Sequence, residues 1–100
     1  MDVTNHISKP ALLELCAEEC TELAHACLKM ARKMRGENPT PAHLVDIRKD
    51  LTEEAADVDL CINALIKSRL ISYTDLSVVQ IEKEKRWEER ILENNEEKGE

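Results

Sequence analysis

One hundred residues carry 14 Lys and Arg against 21 Asp and Glu, a formal net charge of -7, with 2% aromatic residues, no Phe and two glycines. That length holds one core and one domain, 1–100. So few aromatic residues and turn glycines exclude a sheet-rich fold, and the acid excess argues against a nucleic-acid backbone as ligand.

An all-α chain follows, and a domain of this size buries only about 60–65% of its unfolded surface, so self-association helps to complete the core. No apolar run reaches the ~20 residues of a membrane helix, and Met1 to Pro10 lacks the apolar stretch of a signal peptide. The expectation is a cytoplasmic protein with no membrane partner. Three of the four cysteines, Cys16, Cys20 and Cys27, share one helical stretch, and with Cys61 they read as buried reduced thiols rather than disulfides.

Punctuation places three helices. Ser8 before Lys9-Pro10 is an N-cap signal with Pro in the first turn, and Gly36 is the matching stop, which predicts a helix over 9–35. Its apolar rhythm of threes and fours is Leu13, Cys16, Cys20, Leu23, Cys27, Met30 and Met34, the stripe of a helix packed along its length. Thr40 before Pro41 repeats the start signal and predicts a second helix over 41–70. Its stripe is Leu44, Ile47, Leu51, Glu54, Val58, Cys61 and Leu65, with one carboxylate among aliphatics. Thr74 before Asp75 starts a third helix, 74–95, apolar at Leu76, Val78, Val79 and Ile81 and then charged from Glu82 to Arg90. Residues 94–100 carry mixed charge and Gly99, which predicts fraying. Short connections make neighbouring helices antiparallel in a bundle.

A seam carboxylate is costly unless it is protonated, paired or bound to a metal, so Glu54 is the first pointer to function. Glu54 and Asp57 are three apart and share a helix face, as do Glu19 and Glu22 of the first helix, within Glu18-Glu19-Cys20-Thr21-Glu22. Glu19 lies in a row with Leu12 and Ala26 and borders the buried stripe. Antiparallel pairing can bring all four carboxylates to one rim, where like charges repel until their pKa values rise or cations neutralise them. Hard oxygen donors arranged this way suit Mg²⁺, with Mn²⁺ possible.

The E-E-x-x-E at 18–22 followed by E-x-x-D at 54–57 resembles the signature of the MazG-like all-α nucleoside triphosphate pyrophosphohydrolases, the superfamily that includes the dimeric dUTPases. The likeness extends from about Leu12 to Trp87, through Arg35-Gly36-Glu37-Asn38-Pro39-Thr40-Pro41, the apolar Val58-Asp59-Leu60-Cys61-Ile62 and a Lys-Arg-Trp close. It implies a MazG-like helical bundle that hydrolyses a nucleoside or deoxynucleoside triphosphate to the monophosphate and pyrophosphate with Mg²⁺. It also implies assembly as a homodimer or homotetramer. Position by position it makes Glu19, Glu22, Glu54 and Asp57 the metal ligands and Glu18 an additional acidic residue of the site. The triphosphate needs cations at its distal end, and Lys83, Lys85 and Arg86 of the third helix are candidates, with Lys29, Arg32 and Lys33 of the first as further ones.

Two other readings compete. Glu22 and His25 form the E-x-x-H spacing of di-iron carboxylate bundles, although the second helix has Asp57 where such a site repeats His. The apolar stripes alone suit a helical homo-oligomeric interaction module, which leaves Glu54 without a role. Cys16 and Cys20 have no second Cys or His pair to complete a zinc set.

Overall fold

A computed structural model describes residues 1–36 and 41–99. The described residues form three α-helices and no strand: α1 (Lys9–Arg35), α2 (Leu44–Lys67) and α3 (Tyr73–Gly99), preceded by one 3-10 turn, Val3–Asn5. Asp2 caps that turn, its Oδ1 accepting from the Thr4 amide at 3.0 Å and the Thr4 hydroxyl at 2.7 Å. Backbone packing divides the chain into two compact units, Met1–Leu70 with the α1–α2 hairpin and Ile71 onward with α3.

The helix ends follow local chemistry. The Ser8 hydroxyl accepts from the Ala11 amide at 3.2 Å, Pro10 sits in the first turn, and Gly36 ends α1 in the left-handed region at φ 69°. α2 starts at Leu44 after an extended His43 that makes no side-chain cap; the expected cap, Thr40, lies outside the described residues. The same helix closes with the Leu70 amide donating to the Leu65 carbonyl and the Arg69 amide to Ile66, both at 3.0 Å. Such a closure needs a left-handed residue, and here Arg69 holds φ 63° where glycine is usual. It folds Leu70 back against Leu65 and the core. α3 begins one residue before the expected Thr74, because the Ser72 hydroxyl accepts from the Asp75 amide at 3.3 Å. It continues to Gly99, through the stretch where glycine and charge predict fraying.

Core packing fixes how α1 and α2 face each other. Leu12 and Cys16 of α1 are buried with Cys61 of α2, and Ile7, Ala64, Leu65 and Leu70 close over them. The Cys16 thiol donates to the Cys61 carbonyl at 3.8 Å. One turn further along α1, Glu19 meets Asp57 and Glu54, one and two turns back along α2. Rising numbers on one helix therefore oppose falling numbers on the other, and the hairpin is antiparallel. Toward the other end of α2, Ile47 is 1% exposed.

α2 uses the expected stripe, with Ile47 and Cys61 buried and Leu51, Glu54, Val58 and Leu65 half-buried. Leu44, at its first turn, is exposed. In α1 the stripe is rotated from the expected one. Leu13 is 48% and Met34 76% exposed, and Cys20 and Cys27 also face outward. The inward row is Leu12, Cys16, Glu19, Leu23, Ala26, Met30 and Lys33. Cys16, Leu23 and Met30 belong to both rows, so α1 turns by about one residue's 100° for the other positions. All four thiols are free, as the spacing predicts, but only Cys16 and Cys61 are buried. In the second unit every side chain from Val78 to Glu96 is exposed.

Candidate metal centre

The rotation of α1 places Glu19 inside the seam instead of beside it. Glu19 and Glu54 thus face each other across the hairpin, each half-buried among aliphatic neighbours, with exposed Glu22 at the rim. One carboxylate oxygen from each of the three lies within 4.8 Å of the other two. Asp57, expected as the fourth ligand, stands one turn from Glu54 and outside this group of three, although its negative charge raises the titration of Glu19. Helical spacing explains the set: residues three apart on α1 and three apart on α2 each present two carboxylates to one side, and the antiparallel crossing superposes the two sides.

The electrostatics are unfavourable as they stand. The carboxyl of Glu19 titrates above the ordinary glutamate value of 4.5, first because water is removed from it and then because Glu22 and Asp57 are close. Glu54 is raised for the same first reason, followed by Glu22, Asp57 and Glu19. The Oε2 atoms of Glu19 and Glu54 are both buried and neither has a hydrogen-bond partner. Buried acceptors are rarely left unpaired, and two of them facing each other are a cradle for positive charge. The donors in the group of three are carboxylate oxygens only, the chemistry that hard divalent cations prefer.

The neighbouring thiols do not extend this donor set. Burial pushes the Cys61 thiol up to about 11, helped by Cys16, Glu19 and Cys20, so it stays protonated at neutral pH and is a poor metal ligand.

The remaining sequence-derived residues fall in different places. Glu18 is exposed on α1, next to Glu19 but directed off the seam, and His25, one turn beyond Glu22, is exposed and outside the group of three. Lys29 is half-buried on α1, seven positions and about 10 Å of helix beyond Glu22. Lys83, Lys85 and Arg86 are exposed on α3, within the second unit. The sequence reading missed Glu19 as a seam residue. The signal for it was the Leu12, Glu19, Ala26 row, which is apolar on either side of the carboxylate.

No helix among the described residues is long and apolar enough to cross a membrane. Searched against protein-family models, curated proteins and solved structures, the chain matches none of them.

Proposed function

We propose that the chain is a metal-dependent nucleoside triphosphate pyrophosphohydrolase of MazG-like type, acting as a homodimer or homotetramer. The observation that carries this reading is that Glu19 and Glu54 each bury a carboxylate oxygen with no hydrogen-bond partner, and that with Glu22 they bring one carboxylate oxygen each within 4.8 Å of the others. A structural helix pair gains nothing from such an arrangement. A site for Mg²⁺ does, and Glu19, Glu22, Glu54 and Asp57 are the residues that would hold it.

When bound, a divalent cation offsets triphosphate charge and lowers the pKa of a coordinated water. The chain's own residues supply the rest. Glu19 and Glu54 are fixed by the hairpin seam, so the site is preorganised on two rigid helices. The water that attacks the α-phosphorus gives up its proton to bulk solvent on the open side of the site, where exposed Glu22 stands. The bond between the α-phosphorus and the bridging oxygen breaks, pyrophosphate leaves, and the nucleoside monophosphate remains. Glu18, exposed beside Glu19, borders the water side of this site. Lys29 on α1 is the cation of this unit proposed for the distal phosphates.

A second reading, a helical interaction module, draws on the apolar surface left exposed at Ile81, Trp87 and Ile91 of α3. It gives Glu19 and Glu54 no role. One assay separates the two: purified protein with canonical and modified NTPs and dNTPs, with Mg²⁺ or Mn²⁺, analysed for both products. Monophosphate plus pyrophosphate is expected. Diphosphate plus orthophosphate refutes the reaction, and metal-independent inertness across the panel favours the module.

A further inference from the structure

We infer that the uncovered face of α1 is the site where a second copy of this chain docks, antiparallel, α1 against α1. The inference rests on the homo-oligomeric part of the reading above and uses neither the metal nor the reaction.

α2 packs on one side of α1 and leaves another apolar row facing outward. Leu13, Ala17, Cys20, Ala24 and Cys27 follow each other at steps of four and three and are exposed, and beyond the half-buried Ala31 the row ends at exposed Met34. The row runs the length of the helix, about 32 Å from Leu13 to Met34, and is the repeat by which helices pack side by side. An apolar row of that length without cover is unusual on a monomer.

The charges beside the row name the occupant. The adjoining positions read Glu14, Thr21, Leu28 and Arg35, and the next ones out read Glu18, His25 and Arg32, all exposed. Acid stands at the N-terminal half and base at the C-terminal half. A two-fold axis beside His25 sets Glu14 against Arg35 of the second copy and Glu18 against Arg32 of the second copy, and symmetry makes each pair twice. The same register lays Ala17 against Met34 and Ala24 against Cys27, small against larger, which lets the helices approach and fill the seam. A parallel two-fold pairing would put the two charged flanks on opposite sides of the seam, where these ion pairs do not form.

The test needs neither metal nor nucleotide, so its failure leaves the catalytic reading standing, and the product assay can fail while this stands. Sedimentation velocity and light scattering are run on wild type, Glu14→Lys, Arg35→Glu and the double variant, with circular dichroism melts to confirm that each folds. Wild type is expected to be a dimer at micromolar concentration. Each single reversal should weaken association by about 10-fold, since two exposed ion pairs become repulsions, and the double variant should return to within about 3-fold of wild type. Maleimide labelling of Cys20 and Cys27 should slow as the dimer fills. A monomeric wild type, single reversals without effect, a double variant no better than the singles, or a dimer whose Cys20 and Cys27 label at the monomer rate would each overturn the proposal.

Discussion

Replacing Glu54 with Gln separates the role of this carboxylate in the site from any role in the fold. The substitution keeps the side chain's shape within the seam and removes one of three carboxylates whose oxygens lie within 4.8 Å. In metal-free wild type the charge of Glu54 is disfavoured by burial and by Glu22, Asp57 and Glu19, and its buried Oε2 has no partner. The amide of Gln can donate to the Glu22 carboxylate, exchanging a repulsion for a hydrogen bond. The metal-free variant is therefore expected to melt at or above the wild-type temperature at pH 7.

Metal reverses the order. Mg²⁺ at ten times its Kd stabilises the wild type by about 1.4 kcal/mol through mass action, equivalent to a Tm rise of about 6–11 °C in a domain of this size. The variant should lose most of that rise. Loss of residues that merely support metal ligands commonly costs 10–100-fold, so loss of a ligand should lower pyrophosphate release by at least about 100-fold. Melts with and without Mg²⁺, together with the product assay, read all three quantities. If Glu54→Gln is strongly destabilised without metal, Glu54 is a structural partner and the reasoning fails; a full Mg²⁺ response in the variant removes it from the metal set.

The pH dependence has a definite sign. Glu19 and Glu54 titrate above 4.5 when folded, so their contribution to stability is fully present below that value and is lost as pH rises through their folded pKa values. Metal-free protein should accordingly melt higher near pH 5 than at pH 7, Glu54→Gln should flatten the trend, and saturating Mg²⁺ should abolish it; a metal-free Tm that climbs with pH over this range contradicts the raised values. At the end of α2, Arg69 pays about 1–2 kcal/mol to sit in the left-handed region, of which the greater chain entropy of glycine recovers only part. Arg69→Gly should thus raise stability by about 0.5–1 kcal/mol in urea melts, and a decrease would mean that the Arg69 side chain contributes more than its backbone costs.

Much of this molecule is local and therefore readable from the chain. Ser8, Pro10 and Gly36 bound α1 because caps and left-handed residues act within four positions of themselves, and period alone shows that α2 turns inward the face carrying Ile47, Leu51, Val58 and Cys61. The out-of-place Glu54 was legible for the same reason: a carboxylate in an aliphatic row is conspicuous whatever lies opposite. The end of α2 was less so, because the turn residue is Arg69 and not glycine, and only the return of Leu70 to the core forces its φ.

What the sequence could not decide was the rotation of α1. That helix carries two apolar rows that share Cys16, Leu23 and Met30, one running through Leu13, Cys20 and Cys27 and one through Leu12, Glu19 and Ala26, and by apolar content the first is the better stripe. Periodicity measures each row against water, whereas packing measures it against α2. In the hairpin α2 takes the row containing Glu19, which sets Glu19 against Glu54 and leaves the more apolar row outward. A preference for the poorer row is local frustration of the sort that marks functional sites. It arises from contacts between residues far apart in the chain, Glu19 with Glu54 and Cys16 with Cys61, so no window on either helix contains it.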